Sequence, residues 1–249
     1  MKKMVCNLAK TGLALAIYVG SVGIGASAVS AAAAKPAATA SSAAVVAYDK
    51  LFAAFAKVNS YSYKAKSTMT TAGQKTQMTM ESDIIMKPKP AFSMKTSFND
   101  GTQNVTQEII SVGNKMYIKT PDGEWVATPG EASNEDQSAG ADNIFNKQFK
   151  QVIDKTEVKK VGTDQEITIT VNPAKYNKLF LAKGEEGSGD AETKKLQMKI
   201  TVDTKTSLPK KMYMISEMTV MGQTMKTEMT YTYVSYNKVK EIKVPNVSQ

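Results

Sequence analysis

Methionine is the residue type here whose number and spacing could do chemistry. The chain has 249 residues and 15 methionines, and all but Met1 and Met4 lie at or beyond position 69. Met78/Met80 and Met212/Met214 form Met-x-Met pairs. Three uses of these thioethers are open. They could bind copper(I), which accepts soft sulfur ligands. They could line a concave surface for flexible apolar ligands, because methionine is unbranched and polarizable. They could simply fill a soft core, where Leu, Ile and Val are the commoner choice. Copper fits poorly, because the pairs alternate onto the apolar face of strands. No metal site and no cofactor is expected.

Other chemistry has little to work with. The chain has no histidine, and its one cysteine is Cys6. Serine–histidine, cysteine–histidine and zinc–histidine sites are thereby excluded. The paired carboxylates Glu135-Asp136 and Glu185-Glu186 fall in polar loops, where solvation is the ordinary reading. No Ser-x-x-Lys heads a helix, and Ser111 precedes Lys115 by four at a turn. The glycines stand singly at turns and form no phosphate-cradling loop. The sequence reads as a non-enzyme.

All 32 basic residues are lysine, against 23 acidic residues. Arginine supplies the forked contacts to guanine and phosphate, so its absence weighs against nucleic acid as a partner. Lysines scattered along strands mostly make a solvated face. Weak attraction to anionic membrane or wall polymer is the secondary reading.

The first residues explain part of the charge. Lys2, Lys3 and Lys10 precede an apolar run, Leu13 to Val29, that ends in Ser30-Ala31-Ala32-Ala33-Ala34. A basic start, an apolar middle and small residues at the end make a secretory signal pattern. Cleavage is expected after Ala34, giving a signal peptide over 1–34 and a flexible leader over 35–43. Glycines and serines interrupt the run, which makes a retained membrane anchor the weaker reading. Losing those lysines takes the formal net charge from +9 to +6. An extracytoplasmic location, secreted or associated with the cell envelope, follows. No cysteine follows the apolar run, so no lipid anchor is expected.

The elements that must position the methionines can be read from periodicity. Val45, Tyr48, Leu51, Phe52, Phe55 and Val58 recur at spacings of three and four, which predicts an amphipathic helix over 44–58. From Tyr61 the period becomes two. Strands carry Met69, then Met78 and Met80, then Phe92 and Met94, then Met116. Asp100-Gly101 marks a hairpin. Helices are predicted over 141–153 and 173–182, the second with Asn172 as N-cap and Pro173 at the first helical position. Three long strands close the chain, carrying Met198, then Met212, Met214 and Met218, then Met225 and Met229. Each strand pairs one apolar face with one Lys/Thr/Glu/Ser face, as in an antiparallel sheet wetted on one side. Met69-Thr70-x-x-Gly73-Gln74 recurs as Met218-Thr219-x-x-Gly222-Gln223, which reads as two similar hairpins or an old duplication.

Three runs carry a family resemblance. They are Met86-Lys-Pro-Lys-Pro-Ala-Phe92-Ser-Met94, Gly113-Asn-Lys-Met116-Tyr117 through Trp125, and Val202-Asp203-x-Lys-Thr206-x-Leu208-Pro209-x-Lys211. Together they make residues 45–245 resemble the LolA-like superfamily of bacterial exported proteins and lipoproteins. That superfamily is related in fold to the lipid carriers LppX and LprG. The resemblance implies a mainly β, α+β domain over 44–249. It would be a curved antiparallel half-barrel with about three covering helices over an apolar concave face. It also implies carriage of a lipid or other hydrophobic small molecule, or a sensory role in the envelope. The lipobox cysteine of many relatives is missing here.

Strand parity then selects a lining of Met69, Met78, Met80, Phe92, Met94, Met116, Met198, Met212, Met214, Met218, Met225 and Met229. The expected function is non-enzymatic binding or carriage of a lipid-like ligand. The rival is an interaction module with a closed core that meets a protein or wall polymer.

Overall fold

The computed structural model describes residues 42–99, 101–129, 145, 148–181 and 191–247. The expected signal segment, most of the leader and both carboxylate pairs lie outside them.

Eleven strands form one antiparallel sheet. They are β1 (Ser60–Thr71), β2 (Gln74–Ile85), β3 (Ala91–Asn99), β4 (Asn104–Val112), β5 (Lys115–Lys119), β6 (Trp125–Pro129), β7 (Ile153–Val161), β8 (Asp164–Val171), β9 (Glu192–Asp203), β10 (Pro209–Val220) and β11 (Gln223–Tyr236). The order across the sheet is β6-β5-β4-β3-β2-β1-β11-β10-β9-β8-β7. Every connection is therefore a hairpin except two, and the chain's first and last strands pair at the centre. The sheet is open and curved, with β6 and β7 at its edges.

Among the described residues there are two α-helices, α1 (Ser42–Phe55) and α2 (Pro173–Phe180). The helix expected over 141–153 is different in its described part. Phe149–Val152 is a single 3-10 turn, and Ile153 already begins β7. Its apolar residues still do what their spacing implied, since Phe145, Phe149 and Val152 are buried. In α1 the buried positions are Ala44, Tyr48, Leu51 and Phe55, whereas Val45 is 39% exposed. The N-cap of α2 forms as expected, with Lys175 N donating to Asn172 Oδ1 at 3.1 Å.

Both copies of the repeated Met-Thr motif build the same turn. Ala72-Gly73 has φ of 51° and 81°, and Met221-Gly222 has φ of 50° and 76°. Two successive positive φ values match the turn to the twist of the flanking strands. Both turns stand at the same end of the sheet. The Asp203–Lys211 run is structural too. Asp203 Oδ1 accepts from Lys205 N at 3.0 Å, Thr206 N at 2.9 Å and Thr206 Oγ1 at 3.1 Å, closing the β9–β10 connection.

Asn237 fastens the middle. Its Oδ1 accepts from Asn59 N at 2.7 Å, and its own N donates to Ser60 O at 2.6 Å. The start of β1 and the end of β11 are thus tied where these two strands pair.

Candidate functional site

Antiparallel register sorts the methionines into rows on the inner face. One row runs Phe98, Met78, Ser67, Met229, Met214, Met198 and Ile169 across β3-β2-β1-β11-β10-β9-β8. A second runs Thr96, Met80, Ala65, Tyr231, Met212, Ile200 and Ile167. Met218 faces Met225 near the β10–β11 turn, and Met69 lies between Thr76 and Thr227.

Burial divides this set. Met69, Met78, Met80, Met198, Met212, Met218 and Met229 are buried, with Met198 at 0% exposure. Phe92, Met94, Met116, Met214 and Met225 are half-buried. Most of the buried group belongs to one core cluster with Tyr48, Leu51, Phe55, Phe149 and Tyr176. This core has aromatic contacts throughout. Phe55 lies 4.3 Å from Phe145 and 5.4 Å from Tyr61, centroid to centroid, and Tyr176 lies 5.0 Å from Phe180. Tyr63 is a buried member of this core. Its hydroxyl donates to Met80 Sδ at 3.2 Å, and burial pushes its pKa up to about 12.

The described helical cover lies on one side. Among the described residues, α1 packs on β7 and β8, and α2 packs on β9 and the 3-10 turn. Asn177 clamps α2 down, its Nδ2 donating to Thr193 O at 3.0 Å and its Oδ1 accepting from Thr193 N at 2.9 Å.

The other side is different. Val126, Ile118, Ile109 and Met94 lie side by side across β6-β5-β4-β3. Met116 and Phe92 flank this row through Ser111, and Val105 stands beside Phe98. All point inward, yet Val105 is 53% and Val126 46% exposed. Ile109, Ile118, Met94, Met116, Phe92 and Phe98 are half-buried. The result is an apolar sheet face with no described helix over it.

Of the twelve methionines and phenylalanines expected to line a site, Phe92, Met94 and Met116 belong to this open face. Met214 and Met225 sit across the molecular centre from it. Ile109, Ile118, Val105 and Val126 join the face without having been singled out by sequence. The adjacent pair Ile109-Ile110 explains this. Both faces of β4 carry an isoleucine, so alternation alone does not say which is inner.

The outer face departs from uniform wetting. Its central row alternates in charge. Lys64 pairs with Glu81 at 2.7 Å, and Glu108 pairs with Lys119 at 3.3 Å and Lys95 at 3.9 Å. The Lys119 ammonium sits 5.7 Å from the Trp125 ring centroid. A shallow groove of about 360 Å³ follows this row, and Met94 is its sole contributor from the expected lining. A second groove, of about 650 Å³, lies between residues 240–244 and β2–β4. Among the described residues, no three acidic, cysteine or histidine side chains gather to hold a metal ion. No described helix is long and apolar enough to cross a membrane.

Solved structures of several bacterial proteins are similar to the chain at low identity. Against LprF from Mycobacterium bovis the identity is 12% and the TM-score 0.47, covering 84% of this chain and 99% of that one. The MucA/MucB complex of Pseudomonas aeruginosa gives 16% and 0.33, over 77% and 56%. The LolA superfamily protein NE2245 from Nitrosomonas europaea gives 8% and 0.29, over 80% and 94%. One of these neighbours is itself a LolA superfamily protein, the superfamily that the sequence resembles. No curated protein matches the chain. Residues 44–248 match the profile of a family of unknown function, DUF6612, and the chain belongs to that family.

Proposed function

We propose that this is an extracytoplasmic, non-enzymatic binding or carrier protein for a lipid-like hydrophobic ligand, held on the inner face of β3–β6. The observation that carries the reading is the exposure of Val105 and Val126 beside half-buried Met94, Ile109, Met116 and Ile118. A contiguous apolar face of this kind marks a place where something apolar binds. Three of its members, Phe92, Met94 and Met116, come from the lining read off the sequence. The adaptable thioethers suit an acyl chain that has no fixed shape. The expected export follows from the basic, apolar and small-residue order of positions 2–34.

The buried methionines support a smaller role for the rest of that lining. A side chain such as Met198, with no exposed area, meets only protein. Substituting Met80 by lysine would bury a charge and unfold the chain before it tested binding. Met94→Gln with Ile109→Gln is the cleaner test, because both positions are half-buried neighbours on β3 and β4. The double variant should stay folded and lose saturable binding of a hydrophobic dye. A folded variant that binds the dye as the parent does would refute the site.

The filled methionine core favours a second reading. In it the protein is an interaction module with no ligand, meeting a protein or wall polymer through its outer face. A parent protein that binds no dye at all would select it.

A further inference from the structure

Because every neighbouring pair of strands is antiparallel, the connections alternate between two ends of the sheet. Those ends differ in charge. At the end holding residues 56–59, 86–90, 113–114, 162–163, 204–208 and 237–247, the described connections carry Lys57, Lys87, Lys89, Lys205, Lys238, Lys240 and Lys243 against Glu241 alone. The described connections at the opposite end carry Lys150, Lys175 and Lys178 against Asp122 and Glu124, and Lys150 is paired with Asp49. Along the strands many lysines are neutralised, as in Lys64–Glu81 at 2.7 Å, Lys159–Glu166 at 2.9 Å and Lys210–Asp164 at 2.9 Å. Among the described residues, Lys89, Lys240 and Lys243 form no ion pair, and all three are exposed.

These same three lysines rim the groove of about 650 Å³. Its remaining lining is Ile85, Pro88, Ala91 and Val112 from the sheet side, with Glu241, Ile242 and Val244 from the C-terminal segment. Val244 is 49% exposed. Cations above an apolar floor match an amphiphile with an anionic head. A wholly polar polyanion would satisfy the lysines and leave the floor unused.

We infer that this end of the molecule docks on an anionic bilayer, with one lipid headgroup seated among Lys89, Lys240 and Lys243 and its apolar part against Val112 and Val244. Surface lysines near an anionic leaflet each strengthen attachment severalfold, and the effect is screened by salt. The inference does not depend on the inner-face ligand, because the groove lies on the opposite face of β2–β4.

The test is flotation of the full chain with phosphatidylglycerol vesicles and with phosphatidylcholine vesicles. The parent should float with the first, not the second, and salt should release it. Lys89→Gln, Lys240→Gln and Lys243→Gln together should weaken binding roughly a hundredfold, at about fivefold per lysine. Lys175→Gln with Lys178→Gln, at the opposite end, should leave it unchanged. The N-terminal segment is common to every variant, so its contribution cancels. Met94→Gln with Ile109→Gln should float like the parent, which separates failure of this inference from failure of the inner-face site. Equal flotation of the triple variant and the parent would overturn the inference. So would equal loss from the triple variant and the opposite-end pair. Val244→Asp should weaken flotation while leaving binding to soluble polyphosphate intact. Were Val244→Asp without effect on flotation, and polyphosphate as good a ligand as the vesicles, the occupant would be a wall-type polyanion and the lipid assignment would fall.

Discussion

The two halves of this sheet share one inner-face pattern and differ in what covers it. On β7–β11 the face meets α1, α2 and the 3-10 turn, and Ile167, Ile169, Met198 and Ile200 have no exposed area. On β3–β6 the same alternation of apolar and polar residues leaves Val105 and Val126 about half exposed. A sheet face is apolar because something covers it, and the covered half shows what complete cover looks like. The open half holds the same kind of surface without a described helix above it.

The largest expected effect follows from that difference. Met198→Ala should cost about 2–5 kcal/mol, since it removes a side chain packed on every side. Met116→Ala should cost about 1 kcal/mol or less, because its environment is partly solvent. Urea unfolding of both variants measures the contrast, and equal costs would break it.

Hydrogen exchange should sharpen the same line. Amides of β8 and β9 should open only with global unfolding, and those of β4 and β5 by local opening. Uniform protection across the sheet would argue that the open half is covered as well.

Tyr63 stands on the border between the halves. Tyr63→Phe removes the contact to Met80 Sδ and should cost about 1 kcal/mol. The same variant should remove the phenol that titrates at about 12, visible as a lost step in the alkaline absorbance titration.

Smaller effects belong to the turns of the covered half. Met221 holds φ at 50°, where a long side chain is strained, so Met221→Asn should stabilise by about 0.5–1 kcal/mol. Asp203 is held at about 2, below its ordinary 3.8, by hydrogen bonds from Thr206 and Lys210. A carboxylate depressed on folding stabilises above its unfolded value. That stability is therefore full above 3.8 and fades as pH falls toward 2. Asp203→Asn should flatten this part of the acid unfolding curve and lower stability at neutral pH.

Much of this fold was legible because most of its strands alternate. Met78, Met80, Met198 and Met212 could be placed on an inner face from parity alone. Asn172-Pro173 could be read as a helix start because capping is a local interaction. Parity, however, is silent on depth. Met198 and Met94 have the same alternation, and only strand order decides that one lies under a helix and the other does not. The 3-10 turn at Phe149–Val152 has helical spacing but ends at once, because Ile153 pairs with Val171. The concentration of lysines at one end was equally hidden. Lys89 and Lys243 are far apart in sequence, and the antiparallel order brings their connections together.

The central claim is that the inner face of β3–β6 holds a lipid-like ligand. Native mass spectrometry with organic extraction tests it most directly, on protein purified gently from an exporting host. The parent should carry a discrete added mass that extracts as lipid, and Met94→Gln with Ile109→Gln should lack it. A parent of bare mass that also ignores added lipid would contradict the claim, as would a folded double variant that keeps the adduct.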